Sequence, residues 1–213
     1  MNSSTRRDRE RLVHEAEIIE SAMTVFGEKG FDGASMDEIA ERAQFTKRTV
    51  YQYFESKDEL FYAVALKGFE MLFAYLQRAS SDAPSGYDRL VRGSIGYYKF
   101  YMEFPNIFRL IGEIGAVKKR SVRATPRLND LIQFDNQLFQ WVTDGVSAGI
   151  SDGSIRNDLD PANTTFSIIF MMTGFFNQLS ATGTTFMEHF SIDPETFCRD
   201  SMNLLFGSLR ATR

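Results

Sequence analysis

Cysteine and histidine are scarce in this sequence, and it has no long hydrophobic run. One Cys and two His among 213 residues exclude a disulfide framework and argue against a structural zinc site. No apolar core follows the charged run RRDRERL, so it does not predict a secretion signal. The longest apolar run, residues 168–176, is too short to span a bilayer. We therefore expect a cytoplasmic protein with no metal or other cofactor.

What the chain has in excess is phenylalanine, with 20 Phe beside 9 Met. The net charge is −4, so any binding of nucleic acid would need a local basic patch. Apolar residues recur at three- and four-residue steps, and no segment shows the period-two alternation of a strand. The pattern predicts an all-α protein of about nine helices, near residues 6–29, 36–43, 47–53, 57–78, 87–103, 106–115, 127–151, 161–182 and 194–210.

The stretch from Ser35 to Leu60 has the pattern of a helix-turn-helix unit. Ser35 and Glu38 form a capping box at the start of one short helix, and Thr46 caps a second after a connection of about three residues. A turn that short forces the two helices to cross steeply. Val50 and Phe54, four residues apart, should face inward. The outward face should then carry Lys47, Arg48, Thr49, Gln52 and Tyr53, with Tyr51 at the boundary.

These outward side chains suit a helix that lies in a DNA groove. Arg48 could pair with guanine and Gln52 with adenine, each through two hydrogen bonds, while the Thr49 methyl could meet a thymine methyl. Lys47 would add positive charge beside them. Contacts to phosphate, which fix register without reading sequence, are expected from Thr46, Tyr51, Tyr53 and Lys57.

Two further basic stretches each allow two interpretations. The first, which contains Arg6, Arg7, Arg9 and Arg11, could be a solvated helix start or an arm that touches phosphates or the minor groove. The second, residues 118–123, contains Lys118, Lys119, Arg120 and Arg123. A solvated loop is favoured there over a second contact with nucleic acid.

The N-terminal pattern resembles the signature of the TetR (tetracycline-repressor-like) transcriptional regulators. The resemblance covers about residues 12–66 and rests on Phe26, Gly30, Phe31, Ser35, Ile39, Ala40, Ala43, Thr46, Thr49, Tyr51, Tyr53, Phe54, Ser56, Lys57 and Leu60. It implies a DNA-binding domain at residues 1–56 and a domain at 57–213 that dimerises and binds an effector. Most members of the family repress, and the effector releases them from DNA. This chain departs from the family at Gln44 and Arg48, where glycine is usual or frequent.

The helix expected from Pro161 is apolar almost all round, so it must be covered on more than one side. The last helix could cover one side, and a second copy of both helices could cover another. We therefore predict a homodimer through a four-helix bundle, although an ordinary monomer core is the alternative. The predicted interface comprises Phe166, Phe170, Gly174, Leu205, Phe206 and Leu209.

The other aromatic residues of the C-terminal part predict a mostly apolar cavity with a few polar groups. Core packing is the simpler interpretation of any one of them, but as a set they exceed what a small helical bundle needs. The predicted lining comprises Phe69, Phe73, Tyr97, Tyr101, Phe104, Phe108, Phe134, Phe139, Trp141, Met171 and Phe175. The expected effector is an apolar or aromatic small molecule.

Together these patterns predict a transcriptional repressor that binds a near-palindromic double-stranded operator as a homodimer. An effector would move the helix that begins at Lys57 and release the protein from DNA. An enzyme is disfavoured, because His14 and His189 have no cluster of metal ligands near them and no triad spacing is present. Cys198 lies on the presumed dimer helix, where a small apolar role is favoured over a nucleophile. The second alternative is a helical binding or scaffold protein that does not bind DNA.

Overall fold

The computed structural model describes residues 3–120 and 125–211, and within these ranges the side chains of residues 6–183 and 185–211. This part of the chain forms ten α-helices and no strand, which confirms the all-α prediction. The helices are α1 (Ser3–Gly33), α2 (Met36–Arg42), α3 (Lys47–Tyr53), α4 (Lys57–Ser80), α5 (Gly86–Glu103), α6 (Pro105–Gly112), α7 (Ile114–Arg120), α8 (Pro126–Asp152), α9 (Pro161–Phe190) and α10 (Pro194–Gly207). No helix in the described ranges is both long enough and apolar enough to cross a membrane.

The helix that the sequence does not predict is α7, which occupies part of the expected basic loop. Val117 anchors it, since its side chain is only 1% exposed. Lys118, Lys119 and Arg120 form its last turn, where positive charge is favourable next to the helix C-terminus. The loop prediction is therefore wrong for residues 118–120, and residues 121–123 lie outside the described ranges.

Helix α9 runs to Phe190 rather than ending near residue 182. Its last turns bury Met187, which is 6% exposed, so the apolar pattern continues past Gly183. Asp160 caps its start by accepting the N–H of Asn163 at 2.8 Å, and Pro161 occupies the first turn as predicted. The helix ends at Ser191, whose backbone is left-handed with a φ of 53°.

By its internal contacts the chain divides into two units. The first comprises Met1–Phe69 and Asn106–Phe134, and the second comprises Glu70–Pro105 and Asp135–Arg213. Helix α4 contributes its first half to one unit and its second half to the other. The division at residue 56 that the sequence suggests concerns the DNA-binding segment, and it stays a prediction.

The core of the first unit forms where α1, α2, α3 and the start of α4 meet. Ile18, Ile39, Val50, Phe54 and Leu60 are fully buried there. Beside them lies an aromatic cluster in which the ring of Phe61 is 5.2 Å from that of Phe26 and 5.0 Å from that of Phe31. This core packs against one side of α3 and leaves the opposite side exposed to solvent.

Residues 106–134 are tied to the end of α1 by polar contacts. The side chain of Glu113 accepts the backbone N–H of Phe31 at 3.0 Å. Arg120 donates to both carboxylate oxygens of Asp32, at 2.9 and 3.0 Å. Further along, Arg109 donates to the Gly27 carbonyl oxygen and Arg127 forms an ion pair with Glu15. The positive φ of 70° at Gly30 turns the chain toward this segment.

The second unit contains α5, α9, α10 and most of α8. Helices α5 and α8 approach so closely that a Cβ on Gly86 would lie 2.0 Å from the backbone nitrogen of Gly149. Phe176 of α9 is fully buried, and its ring contacts those of Tyr97 at 4.9 Å and Tyr101 at 5.3 Å. An isolated antiparallel bridge joins Ile155 to Arg210 and holds the chain after α10.

Candidate functional site

The α2–turn–α3 segment is built by the caps that the sequence predicts. Ser35 Oγ accepts the Glu38 N–H at 3.3 Å, and the Glu38 carboxylate accepts the Ser35 N–H at 3.1 Å, so the capping box is confirmed. Thr46 Oγ1 accepts the Thr49 N–H at 3.1 Å and starts α3. These local bonds satisfy the backbone groups that each short helix leaves open at its N-terminus.

Gln44 makes the turn between α2 and α3 with a left-handed backbone, at a φ of 58°. The Gln44 N–H is bonded to Glu41 O at 3.0 Å, and the Phe45 N–H to Ala40 O at 2.9 Å. A left-handed conformation costs a residue with a Cβ roughly 1–2 kcal/mol. The chain therefore forms the turn with glutamine, at a cost in stability that glycine would avoid.

Helix α3 presents the predicted polar face. Val50 and Phe54 are fully buried beneath it, which fixes the rotation of the helix. Of the residues expected on the outside or at its boundary, four are exposed: Lys47, Arg48, Tyr51 and Gln52. The other two, Thr49 and Tyr53, are half-buried. The three groups predicted to read bases thus share one accessible side of a single helix.

The two cations of α3 differ in their partners. Lys47 Nζ lies 2.7 Å from an Asp37 carboxylate oxygen on α2, and this hydrogen bond together with the negative charge raises the pKa of Lys47. Arg48 makes no ion pair within the described part of the chain, and it is exposed. Arg48 is therefore the α3 cation that is available to an incoming acceptor, whereas Lys47 would have to exchange its carboxylate for a phosphate.

Side chains of α1 contact Tyr53 at the C-terminal end of α3, and the sequence did not predict this contact. His14 Nδ1 lies 3.3 Å from Tyr53 Oη, and the His14 ring meets that of Phe45 at 5.1 Å. The Arg11 guanidinium lies 5.9 Å from the centre of the Tyr53 ring. Arg6 is paired with Glu10 at 2.9 Å, so part of the basic stretch of α1 is already neutralised.

Lys57 occupies the first turn of α4 beside the predicted interface. Its ammonium lies 4.6 Å from the centre of the Phe31 ring and 3.5 Å from Asp32 O. Ser56 Oγ accepts the Glu59 N–H at 3.1 Å, which caps the helix. The side chain is only half-buried, so its charge remains accessible next to the α4 N-terminus, where anions are favoured.

Residues 18–64, which contain this geometry, match the profile of a family described as bacterial regulatory proteins, tetR family. The N-terminal segment of this chain therefore matches the TetR family. The transcriptional activator FasR of Mycolicibacterium smegmatis is 30% identical over 131 residues, which are 57% of this chain and 60% of FasR. The repressor KstR2 of the same species is 27% identical over 151 residues, 68% of either chain.

Solved structures of the family share the fold at low identity. The fatty acid degradation regulator FadR from Bacillus halodurans superimposes with a TM-score of 0.70 at 16% identity, over 93% of this chain and 97% of FadR. KstR2 of Mycobacterium tuberculosis, titled a ketosteroid transcriptional regulator, gives 0.65 at 18% identity, over 93% and 95%. The curated relatives above are named as transcriptional regulators, not enzymes.

The predicted dimer residues of this chain fall into two groups. Phe166 is 52% and Phe170 74% exposed on α9, and Gly174 has open space where a Cβ would lie. Leu205 is half-buried, while Phe206 and Leu209 are buried within the chain at 2% and 7% exposure. Residues that the sequence did not single out for an interface, Met171, Phe186, Phe190 and Leu204, are at least 49% exposed. The interface itself stays a prediction.

The predicted pocket residues form several separate ring contacts. Phe69, Phe108 and Phe134 belong to the first unit. In the second unit, Phe73 meets Trp141 edge-on at 5.8 Å and Phe139 meets Phe166 at 4.6 Å. The rings of Tyr97 and Tyr101 both contact that of Phe176. The Phe104 ring contacts that of Phe100, and the Phe175 ring contacts that of Phe197. Met171, in contrast, is exposed.

Polar character is present in this aromatic region. Burial raises the pKa of Tyr97 to about 12. Sequence reasoning missed Phe176, the fully buried ring on which Tyr97 and Tyr101 both pack, although it lay within the apolar run from Ile168. The lining of an effector pocket by these residues stays a prediction.

The two histidines make contacts with aromatic side chains, and the one cysteine is buried. His14 contacts Tyr53, and the His189 ring packs on Phe190 at 4.7 Å. Cys198 is 2% exposed, and burial raises the pKa of its thiol to about 11. Among the described residues no group of three or more His, Cys, Asp or Glu side chains could hold a metal ion.

Proposed function

We propose that this protein is a sequence-specific DNA-binding transcriptional regulator that places α3 in the major groove. The observation that carries the proposal is the rotation of α3, in which buried Val50 and Phe54 turn Arg48, Thr49 and Gln52 outward together. The side chains of arginine and glutamine can each make two hydrogen bonds to one base edge. Because Arg48 has no ion-pair partner within the described residues, it can approach a guanine without breaking an internal bond.

The regulator acts as a homodimer. A helix of seven residues is only about 10 Å long, so one copy of α3 covers too few base pairs for useful specificity. Exposed Phe166 and Phe170 on α9, together with Leu204 on α10, supply an apolar face that a second copy would cover. Two-fold symmetry then requires an operator with two similar half-sites about one helical turn, or a multiple of it, apart.

The regulator is a repressor that an apolar or aromatic small molecule releases from DNA. The aromatic side chains of the second unit, with the neutral Tyr97 hydroxyl among them, support an effector of that class. KstR2 is named a repressor and FasR an activator, so the direction of control needs its own measurement. To weaken DNA binding 100-fold, the effector must prefer the form that is off DNA by about 2.7 kcal/mol.

The proposal is tested by selecting binding sites from random duplex DNA with the purified protein. A near-palindromic consensus should emerge, and the protein should bind it far more tightly than a shuffled duplex of the same composition. A transcription assay from a promoter that carries the consensus then separates repression from activation. If selection yields no consensus and the protein has no measurable affinity for duplex DNA, the chain is a helical binding or scaffold protein instead.

A further inference from the structure

A recess of about 470 Å³ opens in the second unit where α4 ends, α5 begins and α8 passes. Its lining is mainly polar and includes Gln77, Ser81, Ser85, Arg89 and Asp152, with Trp141 as its aromatic member. This recess therefore differs in chemistry from the apolar cavity that the aromatic side chains predict. Its volume lies within the range of small-molecule sites.

The walls of the recess are held in place by close backbone contact. The missing side chain of Gly86 lets the start of α5 touch α8 at Gly149. Asp152 Oδ2 accepts the Gly86 N–H at 2.7 Å, and Ser154 Oγ accepts the Tyr87 N–H at 3.2 Å. These contacts fix the α5 N-terminus against the end of α8, and the connection between α4 and α5, which includes Ser81 and Ser85, completes the lining.

Arg89 brings an unmatched positive charge to this recess. Its guanidinium stacks over Trp141, with the carbon atom 4.7 Å from the ring centre, and one N–H donates to Trp141 O at 3.3 Å. A guanidinium has five N–H donors, so most of them remain unused. No carboxylate within the described residues pairs with it, whereas Arg92, one helical turn later, is paired with Asp82 at 2.7 Å.

The other charged group of the lining is already engaged. One Asp152 oxygen accepts the Gly86 N–H, and the other accepts the Ser154 N–H at 2.9 Å. Hydrogen bonds from Ser154 and Gly86 lower the pKa of Asp152, so the carboxylate stays ionised. An ionised Asp152 on the wall would repel a multiply charged anion more strongly than a singly charged one.

We propose that this recess binds a small monocarboxylate, whose two oxygens accept hydrogen bonds from the Arg89 guanidinium stacked on Trp141. Planar guanidinium and carboxylate groups match in geometry, and this pairing is among the strongest hydrogen-bonded contacts in proteins. The inference does not depend on the proposed regulatory function, since it requires neither DNA binding nor an apolar effector.

Trp141 is the sole tryptophan of the chain, so its fluorescence reports occupancy of the recess directly. The purified full-length protein is titrated with sodium butyrate, and separately with butylamine and with sodium phosphate, all at one pH and ionic strength. Butyrate should give a saturable change in fluorescence, and butylamine none. Phosphate should bind at least 10-fold more weakly than butyrate. Saturation-transfer NMR on the butyrate methyl group gives a second readout that does not rely on Trp141.

The variant Arg89→Gln tests the role of the guanidinium, with Arg92→Gln on the same helix as its matched control. Arg89→Gln should weaken butyrate binding at least 10-fold in the NMR readout, while Arg92→Gln leaves it unchanged. Circular dichroism and thermal unfolding show whether each variant is folded. If Arg89→Gln does not fold, Arg89→Lys, which keeps the charge but loses the planar fork, should weaken binding several-fold. Equal butyrate affinity in the folded Arg89 variant, absence of saturation, or equal binding of phosphate overturns the proposal.

Discussion

At the scale of single residues, the interface with DNA depends on which side chains are already occupied. Lys47 is paired with Asp37, and Lys57 lies over the Phe31 ring. Arg48 is exposed and has no ion pair within the described residues. The three cations should therefore contribute differently to binding, although all belong to the same short segment of sequence.

We expect Arg48→Ala to relax the preference at one base position in each half-site, with a loss of roughly 1–3 kcal/mol of discrimination. Lys57→Ala should weaken all sequences about equally and reduce the dependence of binding on salt, because a phosphate contact carries no sequence information. Binding isotherms on the selected site, on single-base variants and on a shuffled duplex, at several salt concentrations, distinguish the two. An unchanged base preference in Arg48→Ala would show that Arg48 does not contact a base edge.

The turn residue Gln44 provides a prediction about stability. Gln44→Gly should raise the free energy of unfolding by about 1 kcal/mol, because glycine adopts a φ of 58° without the penalty that a Cβ incurs. Urea unfolding measures this change. Gln133→Gly is the matched control, since Gln133 is exposed within α8 and the same replacement there should lower stability by roughly 0.8–1 kcal/mol. Changes of the same sign in both variants would contradict this account of the turn.

At the scale of elements, the contacts that join the end of α1 to α6 and α7 should contribute unequally to stability. The Glu113 carboxylate accepts the backbone N–H of half-buried Phe31 at 3.0 Å. The Arg120–Asp32 pair lies on the surface, with side-chain exposures of 55% and 76%. Exposed ion pairs contribute little, because water screens them and both side chains lose freedom.

We therefore expect Glu113→Ala to destabilise the first unit by roughly 1–3 kcal/mol, since it removes the charged acceptor of the Phe31 N–H. Arg120→Ala, the companion variant from the same cluster, should cost less than about 1 kcal/mol. Chemical unfolding gives both values, and hydrogen exchange at the Phe31 amide should accelerate in Glu113→Ala alone. A larger loss in Arg120→Ala than in Glu113→Ala would reverse this ranking.

At the scale of the whole molecule, we expect the exposed apolar residues of α9 and α10 to form the proposed contact between two copies. Phe170 is 74% exposed and Leu204 80% exposed, whereas Phe206 and Leu209, also predicted at the interface, are buried inside the chain. Large apolar patches on a protein surface mark interaction sites. On α10, the proposed dimer face therefore centres on exposed Leu204 instead of on buried Phe206.

Phe170→Glu and Leu204→Glu should each weaken self-association at least 10-fold while leaving the fold of the single chain intact, because a glutamate would have to be buried without a partner. Sedimentation equilibrium over a range of concentrations measures the association. Met102→Glu places the same charge on another exposed apolar residue, 58% exposed on α5, and should have no effect. Dimers as stable as the wild type in both α9 and α10 variants would place the interface elsewhere.

The sequence by itself determined most of the helices and the orientation of α3. Caps such as Ser35–Glu38 and Thr46 act over three residues, and Val50 and Phe54 set the buried side of the helix through its 3.6-residue period. Such signals are local, so they can be read without knowing where the rest of the chain lies. The all-α architecture and the resemblance of residues 12–66 to the TetR family followed from the same short-range spacing.

The tertiary structure alone decided which of those residues have partners. His14 meets Tyr53 across 39 residues and Glu113 meets Phe31 across 82, separations that leave no periodic trace in the sequence. The same holds for the burial of Phe206, for the pairing of Lys47 with Asp37 and for the recess around Arg89. An apolar or charged residue shows what it can bind, but its actual neighbour depends on how distant helices pack.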